Sequence, residues 1–201
     1  MTHILIQASH TLTPLTVILL ILWVFMKRAK GLPKLTVKQR NWWVIAHVAS
    51  AVLYFAGVLG MTLMALSAKF TANSDLIYAA HLYIQYFDWF LIIPGGMSSL
   101  LTGFWLCLRT PWGFTKYYWV IVKWVGNIFA ILFGSSFMRI WIHEAFPLIF
   151  SGNTSPLLNP AYLRNRQMLF IGIVISITIL TSLMIISYLK PWGQRRTSPG
   201  R

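Results

Sequence analysis

The sequence predicts an all-α, polytopic membrane helical bundle of five transmembrane helices, N-terminus out and C-terminus in. Three observations predict it. Of 201 residues, 57% are hydrophobic and only 10% are charged, whereas a soluble domain carries roughly 25% charged residues. The apolar residues gather into five runs long enough to span hydrocarbon, at about 20 residues each. Finally, 17 Lys and Arg face only 3 Asp and Glu, and the basic residues cluster in alternate connections, as the positive-inside rule expects. A nucleic-acid binder can be this basic but not this apolar.

The first run is about Ile4–Met26. Its positive residues Lys27, Arg28 and Lys30 follow the apolar stretch. A cleavable signal peptide has the reverse order, so the run reads as a retained anchor over residues 1–26. A basic cytoplasmic loop, residues 27–41, follows. The second run is about Trp42–Leu66. The third is about Trp89–Leu108, with an amphipathic extension back to Leu76 as its alternative start. The fourth is about Tyr117–Phe137 and the fifth about Met168–Leu189. Residues 42–192 thus form a four-helix core, and 193–201 a basic tail. Period-2 alternation is absent, and backbone groups in lipid must be satisfied internally, so the runs are helices.

Twelve basic residues fall on one side: Lys27, Arg28, Lys30, Lys34, Lys38, Arg40, Arg109, Lys116, Lys190, Arg195, Arg196 and Arg201. Lys69, Arg139, Arg164 and Arg166 fall on the other, with all three acids, Asp75, Asp88 and Glu144. The richer side is expected to be cytoplasmic, which places the chain in the cell's inner (plasma) membrane. The partner expected there is the bilayer itself, through anionic inner-leaflet lipids. A membrane protein partner or a second copy is a further expectation, and nucleic acid is not. Most tryptophans lie near proposed span ends, where an apolar ring with a polar N–H is at home. The second outer connection, about Met138–Gln167, reads as a long loop containing Asn153-Thr154-Ser155, a glycosylation pattern in a eukaryotic secretory pathway.

Small residues should let helices approach closely: Gly126, Ala130 and Gly134 on the fourth span, Ser99 and Gly103 on the third, Gly57 and Gly60 on the second. The lone Cys107 excludes an intrachain disulfide and a cysteine zinc site.

Two ionisable residues fall inside the spans at matched depth. His47 lies five residues beyond Trp42 and Lys123 six beyond Tyr117, each roughly 8–9 Å from the inner surface by helix rise. Such residues are functional candidates because hydrocarbon disfavours them. Asn127 shares the Lys123 face, and Tyr54 the His47 face. The plainer alternatives are a snorkelling lysine and a neutral histidine bonded to a carbonyl. His10, His81 and His143 form a weaker outer set beside Asp88, Arg139 and Glu144. They suit metal or haem ligation, or ordinary interfacial polarity. Met61, Met64, Met97, Met138 and Met168 would add soft copper(I) ligands or apolar filling, and no metal site is assigned. No nucleophile–base set, phosphate-cradling loop or carboxylate pair lies within the spans, so hydrolysis is disfavoured and no catalytic residue is assigned.

Several motifs occur in a familiar order. His47, Tyr54 and Gly57 read H-x6-Y-x2-G; Ile93-Pro94-Gly95-Gly96 leads to Thr102-Gly103-Phe104-Trp105-Leu106; Trp119 and Lys123 read W-x3-K; and the last span closes with Tyr188-Leu189-Lys190-Pro191-Trp192. Together, over residues 42–192, they resemble a group of small bacterial membrane proteins. That group includes CopD-like copper-resistance proteins, HemJ-type protoporphyrinogen oxidases and uncharacterised integral membrane relatives, which the YLKPW ending resembles most. The HemJ-type resemblance implies a haem b, with His47 as its ligand and Lys123 as partner to a propionate or anionic substrate. The CopD-like resemblance implies passage of copper ions.

Overall fold

The computed structural model describes residues 16, 19–24, 26–28, 31–150 and 155–195. Among these, four helices are long and apolar enough to cross a membrane: α1 (Val37–Phe70), α2 (Ser74–Arg109), α3 (Tyr118–Ile149) and α4 (Pro160–Leu189). Four are therefore seen where five were expected; the first run, about Ile4–Met26, lies largely outside the described residues, as does His10.

Each helix start has a chemical cause. Thr36 and Gln39 form a capping box: the Thr36 hydroxyl accepts from Gln39 N, and Gln39 Oε1 accepts from Thr36 N at 3.1 Å. This starts α1 five residues ahead of Trp42. Asn73 caps α2 by accepting from Asp75 N and Leu76 N, and Asn159 caps α4 ahead of Pro160. So α2 does begin early, as the amphipathic extension suggested. It crosses Pro94 by widening into a π-helical turn over Asp88–Ile92 just before it, which relieves the proline's missing N–H and ring clash. A second π turn, Gly134–Met138, interrupts α3.

The long loop expected over Met138–Gln167 is a correction. Helix α3 continues to Ile149, α4 starts at Pro160, and a 3-10 turn over Pro156–Leu158 lies between them. The charges of Arg139, His143 and Glu144 masked a helical stripe of Ile142, Ala145 and Ile149, all buried. Residues 151–154, with most of the glycosylation pattern, lie outside the described residues.

The helices pack in the order α1, α2, α3, α4, with α4 returning to α1, as in an up-and-down bundle. They are longer than a bilayer requires: 30 to 36 residues against about 20. Counting about 20 residues from Trp42, Arg109, Tyr118 and Leu189 puts the surplus turns all at one end. Every described acid lies in those turns, with Lys69, Arg139, Arg164 and Arg166. Two buried apolar clusters lie in or beside them. One joins Met61, Ala65, Ile84, Met138, Ile142, Leu169 and Ile173; the other joins Ile77, Ile149 and Tyr162.

The other end is basic and is stitched by backbone. Lys34 Nζ donates to Leu108 O and Thr110 O at 3.1 and 3.3 Å, capping the last carbonyls of α2. Arg109 Nε donates to Pro33 O, and Arg195 N to Lys116 O. These bonds gather the segment before α1, the α2–α3 connection and the start of the tail on one face. Between the helices at this end lies a cavity.

Candidate functional site in the basic half of the bundle

The cavity has a volume of about 210 Å³ and is lined from all four helices. His47 reaches it from α1, Cys107 from α2, Lys123 and Asn127 from α3, and Ser187 from α4. Its walls include Leu100, Trp112, Trp119 and Trp124. The two residues that the sequence placed at matched depth therefore face one space.

His47 is held in one orientation. Its Nδ1 lies 3.0 Å from both Ser99 O and Thr102 Oγ1. A carbonyl oxygen only accepts, so Nδ1 carries the proton and donates. The Thr102 hydroxyl donates to Ser98 O at 2.6 Å, which leaves its oxygen free to accept from His47. Among the described residues no hydrogen bond reaches Nε2, which keeps its lone pair. Gly103 makes room for the ring: a Cβ there would stand 3.1 Å from His47 Cε1.

Lys123 is half-buried, and its Nζ donates to Ser187 Oγ at 2.9 Å. An ammonium has three donors, and this bond uses one. All three acids lie at the opposite end of the bundle. Lys190, the left-handed C-cap of α4, adds a second cation to the lining, 5.8 Å from the Trp112 ring centroid. The cavity is thus positive, with aromatic and aliphatic walls.

Other residues fall elsewhere. Tyr54 packs beneath Gly95 and Gly96 instead of lining the cavity. His81 is fully buried inside the bundle, with Nε2 3.1 Å from the Tyr162 hydroxyl. His143 is exposed, 3.4 Å from Gln85 Nε2 through its Nδ1. Among the described residues no three His, Cys, Asp or Glu side chains gather to hold a metal. Met61 and Met138 serve as apolar filling. Sequence reasoning missed Ser99, Thr102 and Ser187 as polar partners. The first two follow the proline-glycine stretch, and Ser187 ends an apolar run; only the fold brings them to His47 and Lys123.

A haem fits poorly. The space at His47 is smaller than the roughly 300–1,000 Å³ pockets that take drug-sized ligands, and a porphyrin would have to part the helices. His47 has the carbonyl-oriented imidazole of a metal ligand, but the surrounding volume is that of a smaller guest.

Fold and site together define a polytopic α-helical membrane protein with a largely apolar, lysine-bearing cavity in one half. The family model described as predicted integral membrane protein (DUF2269) matches residues 42–191, and the chain belongs to that family. No curated protein and no solved structure matches the chain.

Proposed function

We propose that this membrane protein binds a small molecule in the cavity between His47 and Lys123, and that the cavity lies in the cytoplasmic half of a bacterial inner (plasma) membrane. In this reading five helices span the bilayer, the run Ile4–Met26 being an N-terminal anchor with its N-terminus outside. The basic segment 27–41 and the tail 193–201 then lie at the cytoplasmic surface against anionic lipid, each nearby cation contributing on the order of 1 kcal/mol. Supporting this orientation, the described basic connections share one end of the bundle and all three acids share the other.

The observation that carries the binding reading is the convergence of two polar side chains from different helices on one cavity at membrane depth. Ionisable groups at that depth are functional candidates, because hydrocarbon disfavours them. A bundle with only a structural need at this point would fill the space with leucine.

Cys107 lines the cavity and is the chain's single cysteine, which provides the test. Methyl methanethiosulfonate applied to the full chain in lipid nanodiscs should modify Cys107. Val120→Trp, which fills the space from the buried start of α3, should slow that modification severalfold. Equal rates in both proteins would show that the reagent does not pass through a cavity of this shape.

A further inference from the structure

We infer that the ligand is a monoanion: a carboxylate carrying a compact apolar body. This deepens the binding reading and rests on it. The inference comes from how charge and surface are distributed around the cavity.

The lining holds Lys123 and Lys190 and no acid. Lys123 spends one N–H on Ser187, which leaves two donors for a ligand. Asn127 stands one turn further along α3 and also lines the cavity. Lys123 alone lies at depth, since Lys190 caps the very end of α4 and is exposed. One cation at that depth neutralises one negative charge. A doubly charged phosphate would leave excess charge beside a single cation at that depth. A neutral ligand would leave the ammonium uncompensated in a low-dielectric setting. The rest of the lining includes apolar surface, with Leu100 and the rings of Trp119 and Trp124. A carboxylate head on Lys123 and a short chain or ring against these walls satisfies both surfaces. The volume of about 210 Å³ limits the body to a small one.

Such a carboxylate comes either from the bilayer, as an acyl chain, or from the cytoplasm, as a soluble aromatic acid. Bromine quenches tryptophan on contact, and three tryptophans line the cavity. The experiment titrates the full chain in phosphatidylcholine nanodiscs with ω-bromooctanoate, para-bromophenylacetate and the neutral ω-bromooctanol. At least one carboxylate should quench saturably, at a concentration about ten-fold or more below that of the alcohol, the scale expected for a hydrogen bond to a charged group. The bilayer source is indicated if the acyl probe saturates first, and the soluble source if the ring probe does. Lys123→Met should raise the half-saturating carboxylate concentration about ten-fold and leave that of the alcohol unchanged. Saturation by the alcohol at equal or lower concentration than both carboxylates in the wild-type protein would overturn the inference and leave the binding reading standing. This comparison needs no variant to fold. Failure of all three probes to saturate would overturn the binding reading and the inference together.

Discussion

At the scale of single residues, the glycines separate into those the packing uses and those it does not. A Cβ on Gly95 would stand 2.6 Å from Tyr54 N and 2.9 Å from Tyr54 Cα, which are backbone atoms of α1. A backbone cannot step aside as a side chain does. Gly95→Val should therefore force α1 and α2 apart and destabilise the protein by about 1–3 kcal/mol or more. Gly134 meets nothing within 4 Å, so Gly134→Ala should leave stability nearly unchanged. Thermal unfolding of the two variants in one detergent checks both, and equal losses would contradict the packing described. The stripe Gly126, Ala130 and Gly134 was visible in the sequence, yet only its first two positions are spent on contact: Gly126 against Leu183, and Ala130 buried. Likewise His47 and Lys123 were legible, because ionisable residues stand out in an apolar run. Their partners were not: serine and threonine are common in spans, and nothing local marks Ser187 as the one that meets Lys123.

At the scale of elements, the sequence showed where helices cross the membrane better than where they stop. The apolar runs located the middles of α1 to α4. Their surplus turns were hidden, because residues beyond the hydrocarbon need only a narrow buried stripe and carry charge elsewhere. Caps were the missed signal. Thr36 with Gln39, Asn73 before Asp75, and Asn159 before Pro160 are all readable as helix starts. Asn159 accepts from Ala161 N at 2.9 Å and donates to Leu148 O at 3.1 Å, so it also ties the start of α4 to the end of α3. Asn159→Ala should cost about 1 kcal/mol and lower the unfolding temperature. Asn159→Asp keeps the cap but loses the bond to Leu148, and should fall between wild type and alanine. An alanine variant as stable as wild type would show that the cap is not used.

At the scale of the whole molecule, the bundle divides its labour along its length. The acid-bearing end holds two buried apolar clusters and the surplus turns; the basic end holds the cavity and the loops bonded across it. The charge imbalance that first marked the sequence as a membrane protein then gains a second meaning: most cations sit at the surface, while Lys123 stands within the wall of a cavity. The proposed ligand would reach that cavity from the cytoplasmic side only if the basic end faces the cytoplasm, and this orientation is the central claim. It is tested most directly by cysteine labelling in intact cells. With Cys107→Ala as background, Ala72→Cys reports the connection between α1 and α2, and Thr115→Cys the connection between α2 and α3; both sites are exposed. A membrane-impermeant maleimide should label Ala72→Cys once the outer surface of the membrane is accessible, and Thr115→Cys only after the membrane is permeabilised. Labelling of Thr115→Cys before permeabilisation, with Ala72→Cys protected, would contradict the account.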